Sequence, residues 1–209
     1  MPYDFKKEQK QFYRPGVRPS LVELPAMNFV SVRGQGDPNE EGGAFSRAVE
    51  ALYGVSYVLK MSYRGPRRIP GFFEYVVPPL EGLWERPVIE SAEESWKASF
   101  RWVAMIRLPD FIRREDVDWA RREVAAKKKI DVSRVSWLTY REGLCVQCLH
   151  SGPFDDEPAT LDLMEAFAAE RGLKADLSGG RYHHEIYLSD PRKALPARMK
   201  TALRLPVSP

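Results

Sequence analysis

The sequence predicts an α+β fold in which one β-α-β-β unit occurs twice. The two copies are expected to form one antiparallel sheet with helices on one face and a ligand cleft at the pseudo-twofold seam. Three observations lead there. Phe29-Val30-Ser31-Val32-Arg33-Gly34 and Val146-Gln147-Cys148-Leu149-His150-Ser151-Gly152 are alike in kind, each a strand pattern running into a glycine turn. A stretch with helical spacing follows each turn at a similar distance. Val103-Ala104-Met105-Ile106-Arg107-Leu108-Pro109 and Thr201-Ala202-Leu203-Arg204-Leu205-Pro206 then share the ending Arg-Leu-Pro.

The totals fit such a fold. The chain has 209 residues, 44% hydrophobic and 29% charged, as in ordinary globular proteins. With 32 basic and 29 acidic residues the net charge is +3, too balanced to imply a nucleic-acid partner. No stretch reaches the roughly 18 apolar residues of a membrane helix. The N-terminal Met1-Pro2-Tyr3-Asp4-Phe5 lacks the apolar run of a signal peptide. Two cysteines give no disulfide framework. A cytoplasmic location is expected, with no membrane contact and a monomer or weak dimer as the state of assembly.

The elements follow in order. Residues 1–20 form an N-terminal arm docking through Phe5, Phe12 and Tyr13, with Lys6, Lys7 and Lys10 solvated. Residues 21–209 form a single domain: repeat A over 26–109, a helical insert over 110–130 and repeat B over 135–207. In repeat A, Met27–Arg33 alternates and is β-branched and aromatic, which predicts a strand. Apolar Phe45, Ala48, Val49, Leu52, Val55 and Leu59 lie on one face of a helix over 44–61, although Gly54 weakens it. Phe72–Val77 reads as a strand closed by Pro78-Pro79, and Lys97–Leu108 as a longer one. The insert carries a helix over 116–129, with Asp116 as N-cap and Lys127, Lys128 and Lys129 at its C-terminal end. In repeat B, Leu144–His150 is a strand. Thr160–Arg171 is a helix with Leu161, Met164 and Ala168 on one face, stopped by Gly172. Tyr182–Leu188 and Thr201–Val207 complete the unit.

On this alignment Phe73-Glu74-Tyr75-Val76 echoes His184-Glu185-Ile186-Tyr187-Leu188, so Glu74 and Glu185 occupy equivalent positions. On a strand Glu185 shares a face with His183 and Tyr187, while His184 and Ile186 take the other. A carboxylate in an apolar, aromatic setting has a raised pKa, attracts cations and can act as general acid or base. A solvent-facing strand residue or a structural ion pair would spell the same pattern. Trp84, Trp96, Trp102 and Trp137 are candidate stacking walls for a flat cation, and core packing is the plain alternative for each. Trp119 belongs to helix packing.

Cys145-Val146-Gln147-Cys148 has the CxxC spelling. Zinc would need two further ligands from His150, His183 and His184, but residues three apart on a strand point to opposite faces. Both cysteines are read as packed strand residues. Neither a metal nor a cofactor is expected, and Gly34-Gln35-Gly36 is too short for a nucleotide fingerprint.

The segments His184-Glu185-Ile186-Tyr187-Leu188-Ser189-Asp190-Pro191-Arg192 and Leu149-His150-Ser151-Gly152-Pro153-Phe154 resemble the GyrI-like small-molecule-binding domains. Tyr3-Asp4-Phe5-Lys6-Lys7 and Pro78-Pro79-Leu80-Glu81-Gly82-Leu83-Trp84 are similar to a stand-alone subgroup of that family, which includes cyclopropanoid hydrolases. The resemblance covers nearly the whole chain. It implies the doubled (SHS2-type) β-α-β-β fold. It also implies binding of amphipathic, cationic or aromatic small molecules at an acidic residue ringed by aromatics. The sequence itself shows no helix-turn-helix, and no direct nucleic-acid contact is expected. Hydrolysis of cyclopropane-bearing, DNA-alkylating compounds is the activity it suggests; a drug-sequestering module and a gyrase-inhibitor-like interaction module are the alternatives. Opening a cyclopropane needs a carboxylate to activate water and a donor for the departing dienone-type oxygen. Glu185 is the candidate base, and Tyr140, Tyr182 and Tyr187 the candidate donors. The expected ligand-binding set is Glu185, Glu74, Tyr182, Tyr187, Trp84, Trp96, Trp102, Trp137 and His183, with Glu185 and Tyr140 catalytic.

Overall fold

The computed structural model describes residues 1–65, 67–85, 100–190 and 194–209. Trp96, the expected strand residues 97–99, Pro191 and Arg192 lie outside them. In chain order the elements are α1 (Phe5–Glu8), α2 (Lys10–Tyr13), β1 (Ser20–Gln35), α3 (Ala44–Lys60), β2 (Leu80–Glu85), β3 (Arg101–Arg107), α4 (Arg114–Lys128), β4 (Ser136–Ser151), α5 (Glu157–Ala169), β5 (Lys174–Ala175), β6 (His183–Tyr187) and β7 (Lys200–Ser208). The fold is α+β with antiparallel strands. The chain divides into two compact units: unit 1 is Met1–Asp4 with Met27–Tyr140, and unit 2 is Phe5–Ala26 with Arg141–Pro209.

Unit 1 carries the first β-α-β-β copy as β1, α3, β2 and β3. Its middle strand is β3, paired with β1 from Phe29↔Arg107 to Gln35↔Arg101 and with β2 from Leu80↔Ile106 to Glu85↔Arg101. A strand flanked on both sides needs apolar residues throughout, and Trp102 to Ile106 are all buried. The predicted face of α3 is buried at Ala48, Leu52, Val55 and Leu59. Gly54 is buried in the same helix, where a Cβ would stand 3.4 Å from Val124 of α4. The glycine that costs helix propensity thus admits a neighbouring helix. Asp116 is not the N-cap of α4 but its third residue; its carboxylate accepts the Arg113 backbone N–H at 3.0 Å.

The expected strand over 72–77 does not form. Only Tyr75 bridges, in parallel, to Tyr3, through Tyr3 N–H to the Glu74 carbonyl and Val76 N–H to the Tyr3 carbonyl, each 2.8 Å. The aromatic content that suggested a strand instead makes a ring cluster, with Phe72, Phe73 and Tyr75 packed edgewise on Phe111. The third element of the copy is β2, in the segment after Pro79.

Unit 2 repeats the order as β4, α5, β6 and β7. Strand β7 is central, paired with β4 from Cys145↔Pro206 to Ser151↔Lys200, with β6 from His184↔Arg204 to Tyr187↔Thr201, and with the short β5. Val146, Cys148, Met164, Ala168, Leu203, Leu205 and Val207 form its core, so the apolar faces of β4 and β7 meet the predicted face of α5. Both cysteines are buried free thiols, as expected of packed strand residues. Burial pushes the Cys145 thiol far up, so it has no nucleophilic character near neutrality. The arm joins this unit: Phe5 and Tyr13 are buried, Phe12 half-buried. The Leu149 N–H donates to the Gly16 carbonyl at 2.8 Å and Gln147 Nε2 to the Gln11 carbonyl at 2.9 Å.

The two registers superimpose. Phe29↔Arg107 in unit 1 corresponds to Gln147↔Arg204 in unit 2, each pair containing the arginine of Arg-Leu-Pro. Among the described residues no helix is long and apolar enough to cross a membrane.

Candidate active site

The short strand β6 presents two faces, and the chemistry divides between them. His184 and Ile186 are buried, whereas His183, Glu185 and Tyr187 are half-buried. This is the alternation expected of the segment.

On the half-buried face the Glu185 carboxylate is held by its own strand. Tyr187 Oη donates to Glu185 Oε2 at 2.8 Å, and His183 Nε2 lies 3.3 Å from Glu185 Oε1. The side chains of His183 and Glu185 are 15% and 13% exposed. Phe154 stands edge-on to the Tyr187 ring at 5.8 Å. The fourth group is Glu157, the first residue of α5, which is only 6% exposed. Glu185 and Thr201 of β7 are its polar neighbours. Ligand atoms of Glu157, His183 and Glu185 all lie within 4.8 Å of one another. Burial, and then the charge of Glu185, push Glu157 up to about 9, so it holds a proton at neutral pH. The result is a carboxyl pair whose buried member, Glu157, holds a proton beside Glu185, and Glu185 accepts the Tyr187 hydroxyl.

The buried face is a charge network. Glu142 of β4 sits between His184 and Arg204: His184 Nδ1 is 3.1 and 3.0 Å from its two oxygens, and Arg204 Nη1 is 3.1 Å from Oε2. Burial alone would raise the Glu142 carboxyl. His184 and Arg204 outweigh it and hold Glu142 at about 2. Arg204 Nη2 also donates to the Phe12 carbonyl, tying the arm to this network. Strand β6 therefore has its inner face pinned by ion pairs while its outer face carries Glu185.

Tyr182 immediately precedes β6 and is half-buried. The remaining sequence-predicted residues belong to unit 1. Trp84 and Trp102 pack with Phe45, at 5.6 and 5.0 Å between ring centroids, and are buried. Trp137 is half-buried and donates through Nε1 to Thr139 Oγ1 at 3.0 Å. Tyr140 is half-buried in β4, and Glu74 is exposed. The pairing of Glu74 with Glu185 is corrected by the strand registers. Glu185 faces Leu203, which corresponds to Ile106, and Ile106 faces Leu80. Leu80, not Glu74, stands where Glu185 does. Sequence reasoning missed Glu157, which falls in what reads as a turn, although Pro158 directly after it is a helix-start signal.

A doubled β-α-β-β fold with a half-open acidic site on one strand defines a small-molecule-binding domain. The family model described as the GyrI-like small molecule binding domain matches residues 18–208, and the chain belongs to that family. A hydrolase from Listeria innocua, solved by crystallography, is 43% identical to it. The match covers 99% of this chain and 100% of that one, with a TM-score of 0.89. An uncharacterized conserved protein from Listeria innocua is 44% identical over 99% and 100% of the two chains, with a TM-score of 0.90. The C-terminal domain of EcmrR, 12% identical over 91% and 97% with a TM-score of 0.56, shares the fold. No curated protein sequence matches the chain.

Proposed function

We propose that this protein is a hydrolase that takes up amphipathic, cationic or aromatic small molecules and opens cyclopropane-bearing alkylating compounds with water. The observation that carries the reading is the carboxyl pair, with Glu185 positioned by Tyr187 at 2.8 Å beside the buried, protonated Glu157. The Listeria innocua hydrolase, 43% identical over 99% of this chain, supports the reaction class.

The chemistry divides between the two acids. Glu185 removes a proton from water as its oxygen bonds to the less hindered cyclopropane carbon. The strained C–C bond breaks, and its electron pair passes through the conjugated ring to the dienone oxygen. That oxygen takes a proton, with Glu157 or a tyrosine such as Tyr182 as donor. The hydroxyl then sits on the former ring carbon and the proton on the former dienone oxygen, and the electrophile that alkylates DNA is gone. The acidic site also favours cationic ligands, and the aromatic edges of Phe154 and Tyr187 suit flat ones.

Incubation with a cyclopropane alkylator, followed by mass spectrometry for the water adduct, tests the reaction. Glu185→Gln should lower the rate on the order of 100-fold or more, as expected for loss of a general base. A water-adduct rate equal to that without protein would leave a binding module only. Fluorescence polarisation of a rhodamine dye reads binding separately; undiminished binding by the same variant would remove Glu185 from the ligand site.

A further inference from the structure

We propose that Glu157, His183 and Glu185 form a binding site for a borderline divalent cation of the zinc class. This inference concerns the same cluster as the hydrolytic reading but does not depend on turnover.

The donor set comes first. Two carboxyl groups and one imidazole converge from the start of α5 and from one face of β6, with ligand atoms all within 4.8 Å of one another, and the ion displaces the Glu157 proton on binding. Donors each about 2.1 Å from a four- or six-coordinate ion stand roughly 3.0–3.4 Å apart. His183 Nε2 and Glu185 Oε1 are already separated by 3.3 Å, long for a charged hydrogen bond and fitting for two ligands of one ion.

The second observation is independent of that spacing. Glu157 is 94% buried, and its Oε1 has no hydrogen-bond partner. An unsatisfied carboxyl oxygen out of water is destabilising, and a carboxyl oxygen of Glu157 lies within the cluster. His183 Nδ1 is likewise buried without a hydrogen-bond partner. The partial exposure of His183 and Glu185 provides an entry path, and three protein ligands leave a position for water. Imidazole favours zinc, cobalt or nickel over calcium or magnesium, which prefer all-oxygen sites. The ion and the water-activating role of Glu185 use the same oxygens, so a loaded chain is expected to hydrolyse more slowly.

Titration calorimetry of ZnCl2 into the EDTA-dialysed full chain tests this, with CoCl2 and its visible absorption as a second probe. Saturable binding of one ion per chain is expected, weakened roughly tenfold or more in Glu157→Gln, His183→Ala and Glu185→Gln. Asp162→Asn, an exposed acid on the same helix, should bind like the wild type. Far-UV circular dichroism establishes that each variant is folded. No saturation by about 1 mM zinc, or binding undiminished in all three variants, overturns the site. Calcium binding as tightly as zinc overturns the assigned metal class. Hydrolysis by EDTA-treated protein without zinc binding would sink this inference and leave the hydrolytic reading standing; zinc binding without hydrolysis would do the reverse.

Discussion

The two β-α-β-β copies share a strand register and differ in what the register carries. Position for position, unit 2 has Glu185 and Tyr187 where unit 1 has Leu80 and Gly82. The buried faces exchange the other way: Ile186 in unit 2 corresponds to Glu81 in unit 1, and both are buried. A repeat preserves backbone pairing because the sheet requires it. Side-chain chemistry is free to diverge, so symmetry of fold does not yield two equivalent sites. Unit 2 concentrates titratable groups on β6 and β7, whereas unit 1 packs rings around Trp84 and Trp102.

The comparison is broken most forcefully at the inner face of β6. Glu142→Gln would leave Arg204 buried with its main counter-charge gone, at a cost of about 3–5 kcal/mol in denaturant unfolding. An unchanged midpoint would mean that the network does not stabilise unit 2. Titration sharpens the same point. Glu142 is held near 2 in the fold against an ordinary value of 4.5, so its contribution of about 3 kcal/mol is present above pH 4.5 and lost as the pH falls toward 2.

Glu157 has the opposite sign. Raised to about 9, it keeps its proton in the fold while the unfolded chain gives it up near 4.5. Its burial therefore costs stability increasingly as the pH rises from 4.5 toward 9, on the order of a few kcal/mol. Unfolding curves near pH 6 and pH 9 should show this loss, and Glu157→Gln should flatten it. If the rate depends on Glu157 as proton donor, it should hold through that range and fall as the pH rises through about 9, where the folded acid gives up its proton.

Much of this fold is legible in the residues. The Arg-Leu-Pro endings and the glycines Gly34, near the end of β1, and Gly152, after β4, mark both registers, and Glu185 is placed on its face by alternation alone. What fails is local composition. Phe72–Val77 has the residues of a strand but spends them on a ring cluster with Phe111, while Leu80–Glu85, with Gly82 inside it, is the strand. Glu157 and the Glu142–His184–Arg204 network depend on contacts between elements far apart in sequence, which no periodicity encodes.

Gly34, within β1, and Gly152, just after β4, offer a subtler contrast. In unit 1 Gly34 faces Trp102, whose ring atoms would lie 2.1 Å from an added Cβ. In unit 2 Gly152 has φ +140 and more room, with His150 Nε2 at 3.5 Å. The same residue type thus answers to crowding in one copy and to backbone conformation in the other. Gly34→Ala and Gly152→Ala should each cost about 1–3 kcal/mol. Replacing Trp102 by Leu should relieve the alanine at 34, measured as a double-mutant coupling. No smaller neighbour should relieve the one at 152. Equal rescue in both would collapse the distinction.

The smallest effect is expected at Glu74, the residue whose spelling most resembles Glu185. Its side chain is exposed, and its carbonyl, not its carboxylate, makes the contact with Tyr3. Removing an exposed charge costs within about 0.5 kcal/mol, because water solvates the group equally in both states. Glu74→Gln should therefore leave unfolding, dye polarisation and the water-adduct rate near the wild type. The isosteric change at Glu185 removes the base from a site where Tyr187 and His183 converge on it. A loss of rate at Glu74 comparable to that at Glu185 would restore the equivalence that the strand registers deny, and with it a role for the first copy in the chemistry.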